Sequence, residues 1–414
     1  MDDIVVQVLI MLVQVVVLVL AISTGFAYLT LFERRLLARM QNRVGPNRAG
    51  PGGFLQPAAD AVKLFFKEDV IPTLVDRGVY LLAPALAVIP ALLIWAVIPF
   101  GCLNIAGDYQ ACFADPATNP NLHNIFQLAD IDIGVLYLLA ITSIGVYGIT
   151  LAGWASNSKY AMLGGIRASA QLISYELALS SAVLAAVMMA GTLSTHEVIY
   201  QQMTMWFVIP QLLGFVLFLI SGTAELVRAP FDLVEAEQEL TSGYNAEYGS
   251  MKFALFFMSE YIKMIAISAI AVTLYLGGWN APGLELLGSL MTGMAGPLVG
   301  SIAVGLASFL VFLVKVVLIL FLFVWMRASW PRVRYDKLMY MGWKWLLPLA
   351  LLNVAMTAVF VVVLPDALIH SVALFVASLV VMAVAYVVSS RVKPAPSRSR
   401  IKMVQPEVPR RPSS

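Results

Sequence analysis

The residues of this 414-residue chain best placed to do chemistry are ionisable side chains lying inside apolar runs: Glu176, Glu225, Glu260, Lys263 and Lys315. Each costs about 2.5–3.5 kcal/mol or more at a bilayer centre unless it is paired or hydrated, so such residues mark ion and proton paths. Glu260 and Lys263 are three residues apart and share a helix face. At 1.5 Å per residue, Glu176 lies about 9 Å and Lys315 about 15 Å from one end of its run, and all five fall between one face and mid-membrane. Structural ion pairs, Glu260 with Lys315 for instance, are the plainer alternative. A second group lies in segment 227–252, where Asp232, Glu235, Glu237, Glu239 and Glu247 face only Arg228 and Lys252. Carboxylates this crowded cannot all stay ionised, which suits them to storing and releasing protons. A solvated acidic loop is the alternative, but Pro230, Phe231, Leu233 and Tyr244 suggest packing.

Counting excludes a redox centre held by the chain itself. His123, His196 and His370 all fall in or beside loops on the other side, so no pair clamps a haem, and two cysteines cannot hold an iron–sulfur cluster. No metal-ligand spacing, phosphate loop or nucleotide fingerprint occurs either. Electron transfer would come from a partner.

The elements that must position these residues are transmembrane helices. The chain is 60% hydrophobic and 12% charged, with mean hydropathy +0.86, where soluble domains carry about 25% charge. This excludes a soluble enzyme, a nucleic-acid binder and a disordered scaffold. Nine apolar segments are predicted spans: 4–32, 79–100, 131–153, 170–191, 205–226, 253–277, 298–325, 344–364 and 367–389. The expected fold is an all-α polytopic bundle, 1–389. Asp2 and Asp3 stand where a signal peptide carries basic residues, so the first segment reads as a retained span. Apart from Lys263 and Lys315, every Lys and Arg falls in 33–78, 154–169, 227–252, 326–344 or 390–414. The positive-inside rule then gives an outside N-terminus and a cytoplasmic C-terminus. The tail 390–414, basic and proline-rich, is expected to be disordered and to suit anionic lipid.

Two loops stand out. Cys102 and Cys112 share the first outer loop, where a disulfide and two separate thiols are both open readings. In loop 33–78, Glu33-Arg34-Arg35 closes the first span and Gln41 to Arg48 reads as a fixed turn. An amphipathic helix follows, with Ala58, Ala61, Val62, Phe65 and Phe66 on one face and Asp60, Lys63 and Lys67 opposite, suited to the membrane interface.

Three stretches resemble the NuoH family, the quinone-tunnel membrane subunits of bacterial NADH:quinone oxidoreductase (respiratory complex I). They are Glu33 to Arg48 with Gln56-Pro57-Ala58-Ala59-Asp60, Ala224 to Leu240, and Arg327 to Asp336 with Trp343-Lys344. The likeness spans about 4–364. It implies a translocase subunit in the bacterial cytoplasmic membrane that forms the entrance and lower wall of a quinone tunnel. The substrate would be ubiquinone or menaquinone. Arg34, Arg43, Asp60, Phe65, Lys67, Arg228, Phe231 and Asp232 would line or border the tunnel, with Glu235, Glu237 and Glu239 at its acidic base. Glu176, Glu225 and Glu260, with Lys263 and Lys315, would begin the chain coupling quinone reduction to proton translocation. Implied partners are peripheral quinone-site and iron–sulfur subunits, with FMN and the clusters held there, small membrane subunits, antiporter-like subunits and lipid. Two departures stand out. The third span lacks the family's carboxylate, since Asp132 lies at its outer end and Thr142, Ser143 and Tyr147 are the deeper polar residues. The ninth span and the tail are additions. The alternatives are the homologous subunit of a complex-I-like hydrogenase and, from another class, an autonomous secondary transporter, against which the lack of internal repeats argues.

Overall fold

The structure, a computed structural model, describes residues 2–103, 109–113, 126–233, 243–364 and 366–391. Glu235, Glu237, Glu239, His123 and the tail 392–414 lie outside the described residues. Regular structure among the described residues is entirely helical, and eight helices are long and apolar enough to cross a membrane. α1 (Asp2–Met40) runs past the predicted end at 32 because Glu, Arg, Leu, Ala and Met all favour helix, and it stops before Asn42, whose φ is 52°. The short α2 (Gln56–Phe66) is the expected amphipathic helix. α3 (Arg77–Leu93) and α4 (Gly134–Ala155) follow, and α5 (Lys159–Ala190) begins at Lys159 rather than at 170. α6 (Thr195–Gln201) is a short helix at the end opposite the basic loops.

α7 (Leu212–Glu225) replaces the predicted span 205–226 with 14 residues, about 21 Å, too short for about 30 Å of hydrocarbon. The residues before it form turns around Pro210, held by the Val208 N–H donating to the Tyr275 carbonyl at 2.8 Å. Gln202, Phe207 and Gln211 in this stretch are buried; non-helical backbone is tolerated at membrane depth when protein encloses it. α8 (Ser250–Tyr275) is the central helix, buried along most of its length. α9 (Leu284–Ala295) was not expected from the sequence and pairs with α10 (Pro297–Ser329). α11 (Tyr335–Met341) continues through one π-turn, Gly342–Leu346, into α12 (Leu347–Val363), so much of the predicted loop 326–344 is helical. α13 (Ala367–Arg391) packs on α7 and α12.

Close packing depends on small residues, as is general in membrane bundles. A Cβ on Gly148 of α4 would meet the backbone nitrogen of Ala87 in α3 at 2.7 Å, and one on Gly153 would meet the Ala161 carbonyl of α5 at 2.7 Å. These contacts seat α3, α4 and α5 against one another. At the end away from the basic loops, Cys102 and Cys112 are joined by a disulfide, both buried. The Cys102 N–H donates to Ser308 of α10 at 3.1 Å, and Phe113 meets Trp279 edge-on at 6.0 Å.

Candidate functional site

The three sequence stretches, separated by up to 294 positions, converge at the basic end of the bundle. Arg327 donates to Glu33, Arg332 donates to Asp232, and the Val333 N–H donates to the Pro230 carbonyl at 3.0 Å. Gln171, fully buried in α5, donates to the carbonyls of Ala224 and Phe231 at 2.9 Å each and so fixes both ends of the turn after α7. Phe231 is 2% exposed and lies against Tyr175. It therefore holds the turn in place and turns no open face outward.

A buried polar network runs across this end. Glu33, 4% exposed, accepts from the Tyr261 hydroxyl at 2.8 Å as well as from Arg327. The Arg228 guanidinium sits over the Tyr261 ring at 4.4 Å and pairs with Glu260 at 3.2 Å, while the Tyr244 hydroxyl donates to the other Glu260 oxygen at 3.2 Å. Burying one ion of such a pair alone would be strongly unfavourable, so these partners are mutually required. A narrow cavity opens among Glu33, Thr223, Arg228, Met264, Phe323 and Arg327. Loop 243–249 is anchored nearby: Tyr248 stacks on Tyr80 at 4.2 Å, and the Tyr80 hydroxyl donates to the Glu247 carbonyl at 2.7 Å. Burial above all, then the neighbouring Tyr80, pushes the Tyr248 phenol upward, against a hydrogen bond with Ser156.

Deeper in the bundle, α4, α5, α7 and α8 bring Ser143, Glu176, Glu225 and Lys263 together. Lys263 is within electrostatic reach of Glu225, Glu260 and Glu176, and Glu225 of Glu176. The Ser143 hydroxyl donates to Glu176, so a hydroxyl of α4 stands next to this carboxylate where the resemblance led one to expect an acid. Glu225 also borders a small cleft with Thr142, Phe218 and Ile267. Lys263 Nζ lies against Gly145, where a Cβ would come within 2.7 Å of it.

Lys315 is not brought to this cluster, and the pairing with Glu260 that its sequence position suggested does not form. Its ammonium donates to the carbonyls of Leu276, Gly278 and Asn280 at 2.7, 3.0 and 2.6 Å and lies 4.4 Å from the Trp206 ring. These carbonyls follow the far end of α8, sixteen residues or about 24 Å beyond Glu260. Lys315 thus holds the turn that follows α8 by donating to three of its carbonyls. The apolar run placed Lys315 between the basic face and mid-membrane; that expectation is corrected, because α10 continues to Ser329 and Lys315 meets the far end of α8.

The loop predicted to frame an entry is strapped at both ends. Arg34 pairs with Asp60 at 2.6 Å, and Gln56 donates to the same carboxylate at 3.0 Å. At the other end the Ser250 hydroxyl contacts the carbonyls of Leu64 and Lys67 at 3.0 and 2.9 Å. Between these straps α2 buries nothing, and Val62, Phe65 and Phe66 stand open to the surroundings. Among the described residues the Arg43 side chain reaches Gln41, at 2.7 Å. Behind the strap Lys252 pairs with Asp69 at 2.8 Å and lies 5.1 Å from the Tyr80 ring.

Sequence reasoning named Glu260 and Arg228 but not Tyr261, the residue joining them to Glu33, nor Gly145. The tyrosine directly follows Glu260 and turns inward; the glycine's role appears only when α8 is laid against α4.

The family model described as NADH dehydrogenase matches residues 13–358, stopping before α13. The chain is 49% identical over 363 residues (87% of this chain, 86% of the relative) to the H subunit of NADH-quinone oxidoreductase from Deinococcus deserti. It is 46% identical over 353 residues (85% and 92%) to the H subunit of the Paramagnetospirillum magneticum enzyme, and 44% over 357 (85% and 95%) to an H subunit from Geobacter metallireducens. A match of this length, covering all three converging stretches and every helix of the polar network, means that the chain belongs to the NADH dehydrogenase family as an H-type membrane subunit of NADH-quinone oxidoreductase.

Proposed function

We propose that the chain forms the entrance and lower wall of a quinone cavity at its basic face and begins the carboxylate chain that couples quinone reduction to proton translocation. The observation carrying this reading is that Glu33, Tyr261, Arg228 and Glu260 are joined at the basic end by a hydrogen bond, a ring contact and an ion pair, and that Lys263, Glu225 and Glu176 follow deeper in the bundle within electrostatic reach of one another. The open face of α2, tied to α1 by Arg34 and Asp60, offers an apolar edge beside it. Arg34, Arg43, Asp60, Phe65, Lys67, Arg228 and Asp232 border the entry in this reading, and Phe231 supports it from within. Lys315 is left out, because it holds the turn after α8. Glu235, Glu237 and Glu239 would complete the acidic base.

In this function a ubiquinone or menaquinone is the substrate, and electrons arrive from peripheral subunits that hold FMN and iron–sulfur clusters. Small membrane subunits and antiporter-like subunits would continue the proton path. The membrane is the bacterial cytoplasmic membrane, with the basic loops inside, as the distribution of Lys and Arg supports. Glutamine keeps the shape of glutamate and removes its exchangeable proton. Glu225→Gln should therefore depress quinone reduction and proton pumping together in a fully assembled complex, whereas Glu260→Gln, which also strands the buried Arg228, should do so with some loss of assembly. Native gels beside pumping assays on the same membranes test this; normal pumping in an assembled variant would refute the relay role.

A further inference from the structure

α1 has a third flank that neither the bundle nor the proposed quinone entry uses. Its inward side carries Ile22, Leu29 and Glu33, and Arg34 on the next side holds Asp60 of α2. Arg35 and Arg39 lie two and six residues past Glu33, roughly 200° and 240° round the helix at 100° per residue. They point away from both. On this flank lies an open cleft of about 440 Å³ lined by Tyr28, Leu31, Phe32, Leu36 and Phe54 with the two arginines. No carboxylate lines it among the described residues. Phe54 closes one wall by meeting Tyr28 at 4.9 Å, and Arg35, by donating to the Gly52 carbonyl, holds the 50–55 turn that carries Phe54. Arg39, one residue from the helix end, is exposed and has no ion pair among the described residues.

We propose that this cleft binds an anionic phospholipid, headgroup phosphate against Arg39 and Arg35 and upper acyl chain along Leu36, Phe32 and Tyr28. The dimensions agree: Tyr28 lies eleven residues or about 16 Å below Arg39, which spans headgroup level to the middle of one leaflet. Arginine stems can lie on apolar walls while the guanidinium stays at the interface. Two positive charges with no ion pair among the described residues, at the basic face above an aromatic and aliphatic wall, favour a lipid with a net negative headgroup over a neutral one. The site stands apart from the quinone reading and survives its failure, because the α2 strap lies on another side of α1.

The test uses the full chain extracted in mild detergent, exchanged with phosphatidylglycerol or phosphatidylcholine and read by native mass spectrometry. Phosphatidylglycerol should be retained well above phosphatidylcholine. Arg39→Gln should weaken that retention about fivefold, and Arg35→Gln with Arg39→Gln more than tenfold, given the usual worth of a basic residue at an anionic surface. Because Arg35 also holds the turn, Leu36→Trp, which fills the cleft and leaves both arginines, serves as the second variant and should also release the lipid. Lys337→Gln, on the same face but outside the cleft, should change nothing. Equal retention of the two lipids, equal losses in the Arg39 and Lys337 variants, or retention undiminished by Leu36→Trp would overturn the proposal. So would a cross-linker on Leu36→Cys that captures a protein in intact membranes, since a partner helix would then fill the cleft.

Discussion

Lys315 directs its ammonium to three backbone carbonyls, whereas Lys263 is set among Glu176, Glu225 and Glu260, so the two buried lysines should fail differently when neutralised. Lys315→Met strands carbonyls that cost about 1–3 kcal/mol each when unpaired. It should lower the thermal midpoint and the amount of assembled protein while leaving the quinone KM of the surviving fraction unchanged. Lys263→Met removes the cation shared by Glu176, Glu225 and Glu260, of which Glu260 keeps a second in Arg228, and should suppress turnover in protein that still assembles. Gly145 offers a finer probe of the same place, because an added methyl group would press on Lys263 Nζ rather than on backbone. Gly145→Ala should cut coupled turnover on the order of tenfold, the scale on which small misplacements act at reacting groups, with little loss of thermal stability. Steady-state quinone reduction beside a thermal melt separates these cases; a melt lowered as much as by Lys315→Met would make Gly145 a packing residue only.

At the scale of elements, α2 is held by its ends and left open in the middle, which makes its apolar side chains replaceable without unfolding. Phe65 is 66% exposed, so Phe65→Ser should cost little stability and instead raise the apparent quinone KM severalfold. Arg43→Ala should act in the same direction. NADH oxidation by a hydrophilic artificial acceptor should stay unchanged in both, and equal loss of the two activities in assembled enzyme would count against an entry framed by α2. The opposite end of the bundle is fixed covalently. With both cysteines in one disulfide, an impermeant thiol reagent should label intact cells only after reduction, provided the basic loops face the cytoplasm. Labelling confined to lysed cells would reverse the orientation. Replacing both cysteines by serine should lower stability by about 2–4 kcal/mol, since the bridge seats Phe113 on Trp279, next to the carbonyls that Lys315 caps.

Across the whole molecule, hydropathy made the long helices legible because twenty apolar residues in a row have one stable use in lipid. It could not find helix that is polar, such as residues 33–40 of α1 or the start of α5, nor the interruption before α7, which depends on enclosure by neighbours. The site was legible as residue types: Glu176, Glu225, Glu260 and Lys263 do gather. Their partners were not, because Tyr261, Gly145 and Arg327 acquire their roles only through neighbouring helices. The face carrying the disulfide supplies a pH test of the assembled fold. His196 of α6 is 7% exposed, and burial lowers its pKa against the opposing pull of Asp130 and Glu197. An unfolded histidine takes up a proton near pH 6.5, while the folded one stays neutral to lower pH. Over that window the unfolded state binds more protons, so this contribution to stability is complete above about pH 6.5 and declines as the pH falls below it. Melts of the full chain between pH 7.5 and 5 should show a falling midpoint below about pH 6.5, and His196→Gln, which cannot titrate, should flatten that fall. An equally steep fall in the variant would assign it to the carboxylates instead.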